Sequence, residues 1–242
     1  MIRVVLRNAL SAALGAALTA GALAPVGAAA QNITSPYRFI ETQQEVSIFG
    51  GAFKAETGPL GMGPGSGSLY GGRWGIRVSG PFVFEVEAAY LPTSRTVVDT
   101  ARVDPENGDS SFMTLGKADA NLVLGQVGLR FDMVGPRTWH GFTPFLRAGG
   151  GVAIDLSGTD DNLEGDLPAS ARFDFGTTFA GELAGGVEYY FSPNVGVRVD
   201  ARTLLWKLEV PDEFRLLEQE RGVTSASWEQ QYVLTAGLSV HF

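Results

Sequence analysis

The chain has no cysteine, so any reaction or ion site must be built from carboxylates, guanidiniums, hydroxyls and imidazoles. Thiolate nucleophiles, disulfide scaffolds and cysteine-ligated metals are excluded. Histidine, the usual acid–base group near neutral pH, occurs twice, as His140 and His241. His140 falls in a predicted turn and His241 at the close of the last predicted strand, so both are expected at a surface or interface. The other ionisable groups recur in a pattern. Arg73, Arg77, Glu85, Glu87, Arg130, Arg147, Glu182, Glu188, Arg198, Asp200 and Arg202 each lie within an apolar–polar alternation, on the face opposite the apolar residues. Six cations and five anions have every reason to pair if that face is enclosed, because an unpaired buried charge costs several kcal/mol. Arg73 and Arg77 stand on the segment next to the one bearing Glu85 and Glu87, so pairing across neighbouring strands is available. No spacing among the acids favours paired acid–base catalysis. The segment 155–166 (DLSGTDDNLEGD) is strongly acidic, and hard cations prefer clustered carboxylates. It lacks the alternate acids before a glycine of a calcium loop, so a solvated loop is expected. No glycine-rich phosphate loop opens a helix. No metal and no cofactor is expected.

The elements that must position these charges are strands. Tyr232, Leu234, Ala236, Leu238, Val240 and Phe242 alternate with Gln231, Val233, Thr235, Gly237, Ser239 and His241, a period of two that only Val233 breaks. The same alternation runs through 69–79, 82–91, 142–154, 177–191 and 195–207. It is blurred in 121–131 by Leu122 and Leu124, and in 44–53 by Gly50 and Gly51. Eight strands result, an even number normal for single-chain membrane barrels. Each is long enough to cross a bilayer core when tilted. The connections alternate in length. Residues 54–68, 92–119, 155–176 and 208–229 are predicted as long loops, whereas Ser79-Gly80-Pro81, 133–141 and Ser192-Pro193-Asn194 are shorter turns. Within 208–229, Asp212–Arg221 has the composition of a short helix between Pro211 and Gly222.

Residues 1–30 stand apart. Arg3 and Arg7 precede an Ala- and Leu-rich stretch and a small-residue site at Ala28-Ala29-Ala30, the layout of a cleavable signal peptide. Its removal takes the net charge from −8 to −10, and an acidic chain is a poor nucleic-acid binder. No later stretch has the run of about 20 apolar residues a membrane helix needs. The expected organisation is a signal peptide at 1–30, a periplasmic segment at 31–43 and a barrel at 44–242.

Alternation alone leaves open which face is outside. A soluble eight-stranded barrel of the lipocalin kind places its apolar face inward. The regular alternation of loop lengths argues instead for a membrane barrel. So do the aromatics near strand ends: Tyr70, Trp74, Tyr90, Trp228 and Tyr232 at one end, Phe82, Phe131, Phe142, Phe191 and Phe242 at the other. The charges then fill the lumen, which eight strands leave just wide enough for side chains.

The hairpin 189–200 (YYFSPNVGVRVD), the stretch 143–151 (TPFLRAGGG) and the ending 238–242 (LSVHF) resemble the small outer-membrane β-barrel proteins, the transmembrane barrel of outer-membrane protein A among them. The resemblance covers roughly 44–242. It implies an all-β, eight-stranded, antiparallel up-and-down transmembrane barrel in a Gram-negative outer membrane. It also implies Phe242 as the terminal signal read by the barrel-assembly machinery. With the chain stopping at Phe242, no peptidoglycan-binding domain is expected after the barrel. The expected partners are outer-membrane lipids and lipopolysaccharide, with the protein a monomer. The expected role is non-enzymatic, in envelope integrity or surface contacts through acidic external loops. A small passive channel is the alternative. A lipid A-modifying enzyme comes third, because the relatives that do such chemistry place a histidine near the outer rim, where this chain has none.

Overall fold

The computed structural model describes residues 35–58, 61–99, 113–158, 160–168, 171–209, 211 and 226–242. The predicted signal peptide and the predicted helix at 212–221 lie outside them. Among the described residues there are ten strands: β1 (Tyr37–Phe39), β2 (Gln44–Lys54), β3 (Gly67–Ser79), β4 (Phe82–Asp99), β5 (Met113–Asp132), β6 (Arg137–Trp139), β7 (Phe142–Asp155), β8 (Thr177–Ser192), β9 (Val195–Glu209) and β10 (Ala226–His241). One turn of helix, α1 (Asp161–Glu164), lies between β7 and β8. Eight strands, β2–β5 and β7–β10, pair antiparallel with their neighbours. The β7–β8 and β2–β10 pairings close them into a barrel.

The short connections bring strand ends close by means their sequences supply. Gly80 adopts φ +50° in the β3–β4 turn. His140 and Gly141, at φ +51° and +87°, form the two-residue turn between β6 and β7, where both central residues must take positive φ. Bulges at Arg77/Ser79 and Tyr190/Ser192 end two hairpins at this same end.

The outward face carries the apolar residues. All ten aromatics predicted at strand ends are exposed, in two girdles. Between them on β4 and β5 lie Phe84, Val86, Ala88, Val127 and Leu129, which also point outward. Nine to eleven tilted residues suffice to span a bilayer core. β4 and β5 are far longer, at 18 and 20 residues. Residues 92–99 and 113–119 were expected in a loop but continue these strands. Past Tyr90 the polarity of the alternation inverts. Ser94, Thr96, Lys117 and Asp119 turn outward, while Val97 and Ala118 are buried inside with Leu167. β9 does the same, with Lys207 and Glu209 outside and Leu204, Trp206 and Leu208 inside. The long-loop end of the barrel therefore projects beyond the apolar band and is built like a water-soluble barrel. Trp228 begins the outer girdle and already belongs to β10, so the last long connection is shorter than expected.

At the opposite end, β1 and β6 form a small ribbon outside the ring. Of the segment expected at 31–43, residues 37–39 form β1. The ribbon lies beside β7, four strands from β2 in either direction around the ring, so residues 40–43 cross the barrel mouth. The Ile40 N–H donates to the Pro136 carbonyl (3.0 Å), and the Gln43 and Gln44 N–H groups to the Phe242 carbonyl (3.2 and 3.0 Å).

Candidate functional site

The inside of the barrel holds the charge network that the sequence singled out, and it has two layers. The layer nearer the short turns is ionic. Strand alternation aims Glu85 and Glu87 inward from β4, Arg130 from β5, Arg147 from β7, Glu182 and Glu188 from β8, and Arg198, Asp200 and Arg202 from β9. β3 adds Arg73. The centre is Glu85, fully buried. Its carboxylate oxygens lie 2.9 Å from Arg130 Nη1, 2.6 Å from Arg198 Nη1, 2.8 Å from Arg147 Nε and 3.8 Å from Arg73 Nε. Glu87 stands directly opposite Arg73 in the register, accepts from its Nε (2.9 Å) and from Arg202, and lies 2.8 Å from Arg73 Nη2. Glu182 pairs with Arg147 and lies 3.4 Å from Arg202. Asp200 pairs with Arg202 at 3.0 Å and sits 3.5–3.6 Å from Arg198 and Arg73.

Arg77 does not join its expected neighbours. It lies opposite Val83 in the register and reaches Asp132 instead, 2.8 Å away at the mouth. Two further acids complete the layer, and sequence reasoning missed both. Glu45 grips Arg130 with both oxygens (2.7 and 2.8 Å), and Asp132 meets Arg130 Nε at 2.9 Å. Seven carboxylates therefore face six guanidiniums.

His241 also differs from its expectation. It is not at a surface but 3% exposed inside the lumen, its Nε2 2.9 Å from Glu188 and its Nδ1 3.8 Å from Glu45. The reason is parity. β10 turns its odd-numbered residues inward to the very end, so Phe242 faces out and His241 faces in. Ser239 donates its hydroxyl to the same Glu188 oxygen. The ligating atoms of Glu45, Glu188 and His241 lie within 4.8 Å of one another. A cation among them would have to displace Arg130 from Glu45, so this arrangement is an ion-pair network first. His140, in contrast, is exposed in its turn and stacks edge-on against Trp139.

Inward glycines leave the room these side chains need. A Cβ at Gly186 would stand 2.7 Å from the Phe145 ring and 2.8 Å from the Asp200 Cβ. Phe49, which packs in the apolar cluster, forms the boundary with the second layer, whereas Phe145 stands opposite Asp132 among the arginines of the ionic layer. Arg198 lies 4.0 Å over the Phe145 ring and Arg73 4.9 Å over Phe49, geometry in which a guanidinium gains from the ring quadrupole.

The second layer is apolar. Phe49, Phe53, Leu69, Leu91, Leu122, Leu124, Leu204, Trp206 and Val233 fill the lumen toward the long loops, and Phe173 and Phe175 from the β7–β8 connection close over them. Phe175 meets the Trp206 ring edge-on at 5.5 Å. Leu122, Leu124 and Val233, which broke the alternation in sequence, are here the inward residues of this layer.

The acidic segment 155–166 serves structure in several places. Glu164, buried, takes both terminal nitrogens of Arg95 at 2.6 Å each. Burial pushes its carboxyl up, but the hydrogen bonds from Arg95 and from the Asp160 N–H outweigh this and hold it below the usual carboxylate range. Asp155 and Asp160 accept from the backbone N–H groups of Ser157 and Asn162.

Solved structures share this architecture. The outer membrane protein OprG from Pseudomonas aeruginosa matches 86% of this chain and 99% of its own, with 12% identity and a TM-score of 0.51. Neisserial surface protein A matches 82% of this chain and 97% of its own, with 19% identity and a TM-score of 0.47. The N-terminal β-barrel domain of OprF from Pseudomonas aeruginosa matches 84% and 100%, with 12% identity and a TM-score of 0.45. At such identities the likeness concerns the fold. No curated protein matches. The family profile described as the outer membrane protein beta-barrel domain matches residues 10–242, and by that match, over a closed eight-stranded barrel with an apolar exterior, the chain belongs to this outer-membrane family.

Proposed function

We propose that this protein is a sealed, non-enzymatic barrel that works through its external surface and not through its lumen. The observation that carries the reading is the double filling of the lumen, an ionic layer followed by an apolar one. A conducting pore needs a continuous water path. Here a hydrated ion meets first a strap at 40–43, then paired charges, then packed leucines and aromatics. The carboxylates of the ionic layer are each engaged by a guanidinium, away from solvent, and the hydroxyl that stands beside an imidazole there, Ser239 at 3.1 Å from His241 Nε2, is itself buried and shares the same Glu188 oxygen with that histidine, out of reach of a substrate. What remains open to partners is the projecting end of β4, β5 and β9 with its polar outer face. Its role is in envelope integrity or surface contacts. Lipopolysaccharide surrounds it there, Phe242 is its assembly signal, and it acts as a monomer.

Single-channel recording of the refolded protein in a planar bilayer tests this. The expected result is silence, with insertion shown by the heat-dependent gel mobility of a folded barrel. Steady openings would overturn it in favour of a small passive channel. Incubation with lipopolysaccharide followed by mass spectrometry tests the non-enzymatic half, and an altered acyl pattern would overturn that.

A further inference from the structure

We propose that the β1–β6 ribbon is a membrane-interface anchor, seated on the anionic phospholipid headgroups of the periplasmic leaflet. The argument begins with register. Tyr37 lies opposite Trp139, Trp139 opposite Phe142, and Phe142 opposite Tyr189. Directly opposed residues in antiparallel strands point to the same side. Phe142 belongs to the girdle at the short-turn end, the periplasmic end of an outer-membrane barrel, and faces lipid, so Trp139 and Tyr37 continue that girdle beyond the ring of the barrel. The Phe142 and Tyr189 rings are in contact, with centroids 4.7 Å apart.

The ribbon also has a second side. Thr138 is buried against the barrel, while Phe39 and Trp139 are 66% and 50% exposed. Three residues on each strand, Tyr-Arg-Phe and Arg-Thr-Trp, give three aromatics, two arginines and no acid. That is a distinctive composition in a chain of net charge −8. Amphipathic Trp and Tyr rings concentrate at headgroup level. The Arg137 guanidinium lies 4.5 Å over the Phe39 ring, which leaves its edge free to take a phosphate in bidentate fashion. An aromatic face in line with the lipid-facing band, with an arginine fixed among its rings, matches a phospholipid headgroup layer better than a protein groove.

The full chain is refolded into phosphatidylcholine–phosphatidylglycerol vesicles, with folding checked by heat-dependent gel mobility. The emission of Trp139 is obtained as the difference between wild type and Trp139→Phe. Phospholipid brominated near the headgroup end of its acyl chains is expected to quench that component, and aqueous acrylamide to lose access to it. A component that acrylamide quenches freely and brominated lipid leaves untouched would overturn the proposal, and would mean that the face is bare to the periplasm. In phosphatidylcholine alone, adding phosphatidylglycerol is expected to blue-shift the Trp139 component in wild type, a shift lost in Arg137→Ala. An equal shift in both would overturn the role given to Arg137.

Discussion

Glu85 is the residue on which the ionic layer turns, because four arginines from four other strands converge on one carboxylate. Replacing it by Gln keeps the shape and leaves those guanidiniums short of a charge in a water-poor lumen. Losing one partner of a buried pair costs about 3–5 kcal/mol, and Glu85→Gln is expected at that level or above. Arg77→Ala should cost less, about 1–2 kcal/mol, since Arg77 is partly open to water at the mouth and Asp132 keeps its pair with Arg130. Urea midpoints for loss of the compact gel band would separate the two, and equal midpoints would mean that Glu85 is no hub. The positions facing the lumen were legible wherever alternation was clean, as around Glu85 and Arg198. Glu45 escaped because Gly50 and Gly51 blur β2. Asp132 escaped because it ends its strand where a turn was expected. Arg77 was drawn to the wrong partner because sequence adjacency of strands says nothing of register, and the register sets Arg77 against Val83.

At the scale of elements, the long strands β4 and β5 were half read. Their membrane portions show apolar residues out and charges in. Beyond Tyr90 the same period of two continues with its polarity reversed. Thr, Ser, Lys and Asp on the outer face then look like loop composition, when they are the watered side of a strand. This extension depends on the segment around α1, which Arg95 and Glu164 tie to β4. Since Glu164 holds its charge below the ordinary carboxylate range, its contribution is fully present above that range and is lost as pH falls through its own lower value. Hydrogen exchange should find the amides of Glu164 and Leu167 protected at pH 5 and opening only under more acid conditions. Arg95→Ala should open them at pH 5 as well. Protection that persists in Arg95→Ala would place the hold on α1 in the packing of Leu163 and Leu167.

Over the whole molecule, the two layers seal the lumen by different physics, and their contributions can be told apart. The apolar layer is held by burial, with Trp206 wholly enclosed and Phe175 against it. Truncating a buried aromatic to Ala costs about 3–5 kcal/mol through lost transfer energy and the cavity left behind. Trp206→Ala should therefore unfold at clearly lower urea. It should nonetheless stay electrically silent, because the ionic layer is left intact and a dry apolar cavity does not recruit water by itself. Glu85→Gln makes the reverse perturbation, with charges loosened below an intact apolar layer, and it too should remain silent. Only the double substitution, where it still folds, offers water a continuous route. A planar bilayer reading both single variants and the pair decides the matter. Openings in Trp206→Ala alone would mean that the ion pairs leak and that the apolar layer was the sole barrier. Openings in Glu85→Gln alone would put the barrier in the charges. Silence in both, followed by flicker in the pair, is the outcome that two independent seals require.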